Sequence, residues 1–280
     1  MNKTAVMCVL VLLLAGCSTK LAYNNLDWLA SWYLGDFIEL TDPQQDEFDT
    51  RLDSLLVWHR EVELPIYRNQ LLLLQKQLQS PMIGAKQWAE HIQEISGHWL
   101  RIRNKASLEM AILAPELSEE QVTDFFAALK EYNQEKRDEF EALTKQEAEE
   151  KRFDNVVEQF EEKMGSVNIQ QEGIIKEYIA SSHKTPLVYL AYSNRFQLGL
   201  RKTFMEVDKS HLSSQLYELL SHPEQFKLAK TLQLDSREKR LVANMLQQMY
   251  TSATKEQREY FQGEVTDLVE LIDELMAKAA

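Results

Sequence analysis

Cysteine, glycine and proline are all scarce in this chain, and each shortage removes a class of answer. Only two cysteines occur in 280 residues, Cys8 and Cys17. No disulfide can therefore staple anything beyond residue 17, and the body must hold by packing. Eight glycines are under half the usual share of about 7 %. Phosphate loops and nucleophile elbows need glycine at fixed spacing, and no G-x-G-x-x-G, Walker A or G-x-S-x-G pattern occurs. H-E-x-x-H is missing as well. Basic charge is also short, with 31 Lys+Arg against 44 Asp+Glu and a formal net charge of −13. Without a cationic surplus to displace counterions from phosphates, nucleic acid is excluded as a partner. Broad electrostatic adhesion to anionic lipid is excluded on the same ground.

What is present begins at the amino terminus. Lys3 precedes the apolar run Val6–Leu14, and Leu14-Ala15-Gly16-Cys17-Ser18 follows. A basic residue, an apolar run of signal-peptide length and small residues before a break form a secretory signal. The run is too short for a comfortable membrane span. Leu14-Ala15-Gly16-Cys17 resembles the lipobox of bacterial lipoproteins. That resemblance implies cleavage between Gly16 and Cys17 and acylation of Cys17 with palmitate-type chains. Ser18 at the sorting position implies the outer membrane, with the periplasmic face as the default. Residues 1–16 are then the signal and 17–280 the mature domain. Their removal takes away Lys3 and both thiols are spent, Cys8 with the signal and Cys17 on the lipid.

Scarce Gly and Pro with abundant Leu, Glu, Gln, Lys and Ala favour helix. The expected fold is all-α, a multi-helix bundle of antiparallel helices. Leu21, Asn25, Trp28 and Trp32 share one face of a first helix, with Leu26, Leu29, Tyr33 and Phe37 beside it. Trp and Tyr so near the anchor permit an interfacial role, but the few basic residues favour ordinary core packing. Pro65 ends or kinks the next helix. Trp88, Ile92, Ile95, Trp99, Ile102, Ala106, Met110 and Leu113 then form a continuous helical stripe. Residues 116–164 contain neither Gly nor Pro. Their apolar face lapses over 144–152, where two subdomains would meet. Asp235 is expected to cap a helix holding Leu241, Met245 and Met249.

No catalytic constellation stands out. His91, Glu94 and His98 share a flank, but His91 and His98 are two turns apart, about 10.5 Å of rise. They read as interface histidines, not as a metal site. His59 and Glu63 sit at i and i+4, the spacing of a salt-linked helix pair. No metal, cofactor or enzymatic activity is expected. The element Thr/Ser-x-x-Gln recurs as Thr41–Gln44, Ser118–Gln121 and Thr254–Gln257. Physically it is a capping box, worth about 1 kcal/mol per helix start. Leu40-Thr41-Asp42-Pro43-Gln44 also resembles the L-T-x-x-Q motif of periplasmic helical chaperones and envelope-stress regulators.

A second resemblance is broader. Cys17-Ser18-Thr19-Lys20-Leu21-Ala22-Tyr23-Asn24-Asn25, then Trp28, Trp32-Tyr33, Leu40-Thr41 and Trp58-His59-Arg60, is similar to an uncharacterised family of Gram-negative envelope lipoproteins. It implies a helical body and a lipid anchor, and supplies no active-site residues. The expected function is non-enzymatic binding or scaffolding of another envelope protein, with the membrane held through Cys17. A chaperone or stress sensor for unfolded clients is the rival. Trp28, Trp32, Tyr33, Thr41 and Gln44 are the candidate binding residues.

Overall fold

A computed structural model describes residues 17–183 and 185–277, with side chains from Lys20 onward. Residues 1–16, including Gly16, lie outside the described residues, as does the side chain of Cys17; the signal-peptide and lipidation readings fall there. The described residues are helical throughout, with no strand among them. Helices α1 (Cys17–Tyr23), α2 (Leu26–Gly35), α3 (Asp42–Trp58) and α4 (Leu64–Gln77) come first. The long α5 (Ala85–Leu113) follows, then α6 (Glu119–Glu141), α7 (Lys145–Met164) and α8 (Ile169–Ser181). The chain closes with α9 (Pro186–Glu206), α10 (Lys209–Ser221), α11 (Ala229–Thr251) and α12 (Lys255–Ala277).

Neighbouring helices run antiparallel. Along α4 and α12, Gln75 donates to Thr266 at 2.9 Å while Arg68 meets Asp273. Along α5 and α11, the Ala85 N–H donates to Gln247 at 2.9 Å and Lys239 donates to Ser96 at 3.1 Å. Lys20 on α1 pairs with Glu274 on α12, which lays the amino-terminal helix against the far end of the chain. Leu78, Ile83, Trp88, Ala243, Tyr250 and Val265 form one core cluster. Tyr23, Leu64, Tyr67, Ile272 and Leu275 form a second beside the amino terminus. Gly165, at φ 76°, ends α7 in the left-handed region. There a Cβ would also lie 3.2 Å from the Tyr260 ring, so glycine is required.

The structure corrects or refines four expectations. The first aromatic helix is broken at Asn24 and Asn25 into α1 and α2, since Asn readily leaves helical geometry to bond its own backbone; the Asn25 amide donates to the Leu21 carbonyl at 2.6 Å. The glycine-free stretch forms two helices: the first stops at Ala142 and the second starts behind Thr144, whose hydroxyl accepts from the Glu147 N–H at 3.2 Å. The polar run is the exposed start of α7, drawn to that cap. Asp235 caps nothing. It lies inside α11, bound to Lys227 at 2.7 Å and Tyr189 at 3.0 Å. Of the two readings of Pro65, ending or kinking, the first fails: the helix does not end there. A π turn, His59–Glu63, precedes it, with the Leu64 N–H bonded to the His59 carbonyl. Pro65 offers no N–H and crowds the carbonyl four residues back; the wider turn takes up that misfit.

Candidate functional site

The π turn places the most enclosed charge among the described residues. Glu63 is 0 % exposed, and Arg101 of α5 grips both its oxygens, at 2.6 and 2.9 Å. Bidentate guanidinium–carboxylate pairing is the arrangement that tolerates such burial. Arg101 also donates to His98 Nδ1 at 2.6 Å, and His98 Nε2 bonds the side-chain Oε1 of Gln70. Gln70 donates onward to the His91 carbonyl at 3.1 Å, and His91 Nε2 meets Gln77 Oε1 at 2.8 Å. On the other side His59 bridges Tyr23 at 2.9 Å and Tyr67 at 3.2 Å. The expected His59–Glu63 salt link is therefore not made: each residue is engaged elsewhere. Burial pushes His59 down to about 4, against the opposing pull of Glu63. Burial also lowers His91 and His98, for His98 with help from Arg101.

This seam is closed chemistry. His91 and His98 are both tied to Gln70 across the helix interface and do not converge on one point. Among the described residues no group of three His, Cys, Asp or Glu is placed to hold a metal ion. The other buried carboxylates are spent too. Glu238 accepts from Tyr178 at 2.6 Å and Ser182 at 2.7 Å, and Glu264 meets Lys163 at 2.9 Å. Burial and the Glu238 carboxylate push Tyr178 up to about 12.

The Thr/Ser-x-x-Gln elements meet in pairs. Gln44 donates to Gln121 at 3.1 Å and Gln121 returns a bond to Gln44 at 2.7 Å. Each glutamine also accepts from its own helix start, the Thr41 N–H at 3.0 Å and the Ser118 N–H at 2.9 Å. Each then reaches the carbonyl two residues before the partner's N-cap: Gln44 to Glu116 at 2.8 Å, Gln121 to Glu39 at 2.7 Å. The third element repeats this with a partner that the sequence reading missed, Asn168–Gln171. Gln171 and Gln257 exchange bonds at 3.0 and 2.9 Å, and Gln257 reaches the Ser166 carbonyl at 2.9 Å. Asn at an N-cap with Gln three residues on was the signal available. Thr41 itself is the weakest member: its hydroxyl sits in the capping position but makes no hydrogen bond there.

The candidate binding residues are thus divided. Thr41 and Gln44 belong to a clasp between helix starts. Tyr33 packs edge-on to Phe37 at 5.3 Å, and Phe37 to Tyr132 at 5.8 Å. Trp28 and Trp32 do neither. They stack on each other, 6.3 Å between centroids and 15° between planes, and stand 62 % and 59 % exposed. Core packing was the favoured expectation for this helix, and for these two residues it is wrong: α2 contains no buried residue. The long stripe on α5 is likewise only half covered. Trp88 is buried, but Ile95, Trp99 and Met110 are exposed. A depression of ≈ 360 Å³ beside α2 is lined by Ser31, Leu34, Gly35, Ile38, Glu39, Leu40 and Gln45. That lining offers one carboxylate and no histidine.

Comparison with known proteins gives one match. The model of a family of unknown function, DUF6279, covers residues 36–231. That span runs from just after α2 into the start of α11. No curated protein and no solved structure matches the chain.

Proposed function

The chain belongs to DUF6279, a family of unknown function, and on that premise we propose that it is a lipid-anchored envelope protein. Cys17 carries the lipid, the helical body faces the periplasm at the outer membrane, and its work is binding or scaffolding another envelope protein. The observation that carries this reading is the run Lys3, Val6–Leu14, Ala15-Gly16-Cys17 in the sequence. Two features of the body support a non-enzymatic role. Among the described residues, the buried Glu63, Glu238 and Glu264 are each engaged by donors of neighbouring helices rather than presented in a cleft. Its longest helix keeps Ile95, Trp99 and Met110 open, the kind of apolar surface that marks an interaction face.

Labelled fatty acid fed to cells tests the anchor. Label should enter the native chain and be lost in Cys17→Ser, which should also leave the membrane fraction. Label retained by that variant would end the reading. The open α5 stripe also suits the rival role, a chaperone for unfolded clients. Residues 17–280 should fail to suppress aggregation of an unrelated unfolded protein at sub-stoichiometric levels; suppression would favour the rival.

A further inference from the structure

We infer that Trp28 and Trp32 form a bilayer-contact face that sits at the headgroup–acyl boundary of zwitterionic phospholipid. The inference rests on the lipid-anchor reading for its geometry. Position comes first. Trp28 follows Cys17 by eleven residues, about 17 Å of helix at 1.5 Å per residue. A lipid on Cys17 therefore holds the pair within reach of the interface whichever way the Asn24–Asn25 break bends.

Orientation comes next. The opposite side of this segment is tied to the body. Tyr23 is buried and bonded to His59, Lys20 pairs with Glu274, and Tyr33 and Phe37 lead by edge contacts to Tyr132 of α6. The indoles are left on the outer side, joined by Leu21, which is 65 % exposed. Stacked indoles held on a rigid helix lose little freedom on entering an interface. The amphipathic ring of tryptophan prefers that zone to either water or hydrocarbon.

Charge selects the lipid. Lys20 is the only Lys or Arg between residues 17 and 50, and it is already paired. Asp27, Asp36 and Glu39 are exposed nearby. A segment whose one cation is paired and whose carboxylates are exposed is repelled by anionic headgroups. A zwitterionic surface carries no such penalty.

Cys17 allows a test that does not depend on cellular lipidation, because it is the only thiol in residues 17–280. That chain is coupled through Cys17 to maleimide-bearing phosphatidylcholine vesicles, with either brominated or ordinary acyl chains. Bromine quenches indoles that reach the acyl boundary. Two of five tryptophans should be quenched on the brominated vesicles, a loss of about two-fifths of the emission if the indoles emit alike. The Trp28→Phe/Trp32→Phe chain, with an unchanged circular-dichroism spectrum, should emit equally from both. Phosphatidylglycerol vesicles should give less quenching. Equal emission of the native chain from both phosphatidylcholine vesicles would overturn the inference, as it would if a protein covered this face. Equal quenching of the double variant, or stronger quenching on phosphatidylglycerol, would overturn it as well. A native chain that takes up no labelled fatty acid in cells, by contrast, would end the anchor reading and leave the vesicle result standing by itself.

Discussion

The two glutamine clasps share one pattern and differ in setting. Gln171 and Gln257 are 0 % and 4 % exposed, whereas Gln44 and Gln121 are only partly covered. Both clasps join two helix starts by a reciprocal amide pair, so pattern alone does not rank them. Water does. A partner lost from the open clasp is replaced by solvent, while one lost from the shut clasp leaves a buried amide with one donor and one acceptor position unfilled. The same contrast separates the histidine seam, where every ring is engaged, from the Trp28–Trp32 pair, where neither ring is covered by the body.

The shut side should show the largest effects, beginning with acid. His59 is held at about 4 in the fold, below its ordinary value of about 6.5. As pH falls through that window the unfolded chain gains a proton that the folded chain refuses. Stability is thus full above about pH 6.5 and declines toward pH 4, by about 3 kcal/mol from His59 alone. His91 and His98 act in the same direction. Urea unfolding across this range should show a slope that His59→Gln flattens; an unchanged slope would remove His59 from the account.

Next come the clasps themselves. Gln171→Ala leaves the Gln257 amide buried without its partner and should cost about 2–3 kcal/mol. Gln44→Ala, open to water, should cost about 0.5–1 kcal/mol. Equal losses in denaturant melts would break the comparison. The caps give the smallest effects. Thr254 accepts from the Gln257 N–H at 3.2 Å, so Thr254→Ala should cost about 1 kcal/mol. Thr41→Ala, with no such bond to lose, should cost only a few tenths, about 0.3 kcal/mol. A Thr41→Asp chain that folds with full stability yet fails to complement a deletion strain would instead give this element a role in binding.

Helix content and most helix starts were legible in the sequence, because apolar spacing and capping residues are local signals. Ser118 and Thr254 stand where those signals put them. Partnership was not legible. Nothing near Gln44 tells that Gln121 lies against it, or that Gln257 seeks Gln171, since these bonds form only once helices far apart in sequence meet. Periodicity showed that Trp28 and Trp32 share a face but not whether a neighbour covers it. The stripe from Trp88 to Met110 is a continuous pattern, yet α10 and α11 cover it unevenly. The π turn was half visible: Pro65 announced a defect, and only the packed helix shows that a wider turn takes it up.

The central claim is that this helical body is held to the membrane through Cys17. The mass of the amino-terminal peptide from protein extracted out of the cell envelope tests it most directly. The account predicts a peptide that begins at Cys17 and carries acyl chains. A peptide that retains residues 1–16, or one that begins at an unmodified Cys17, would contradict it.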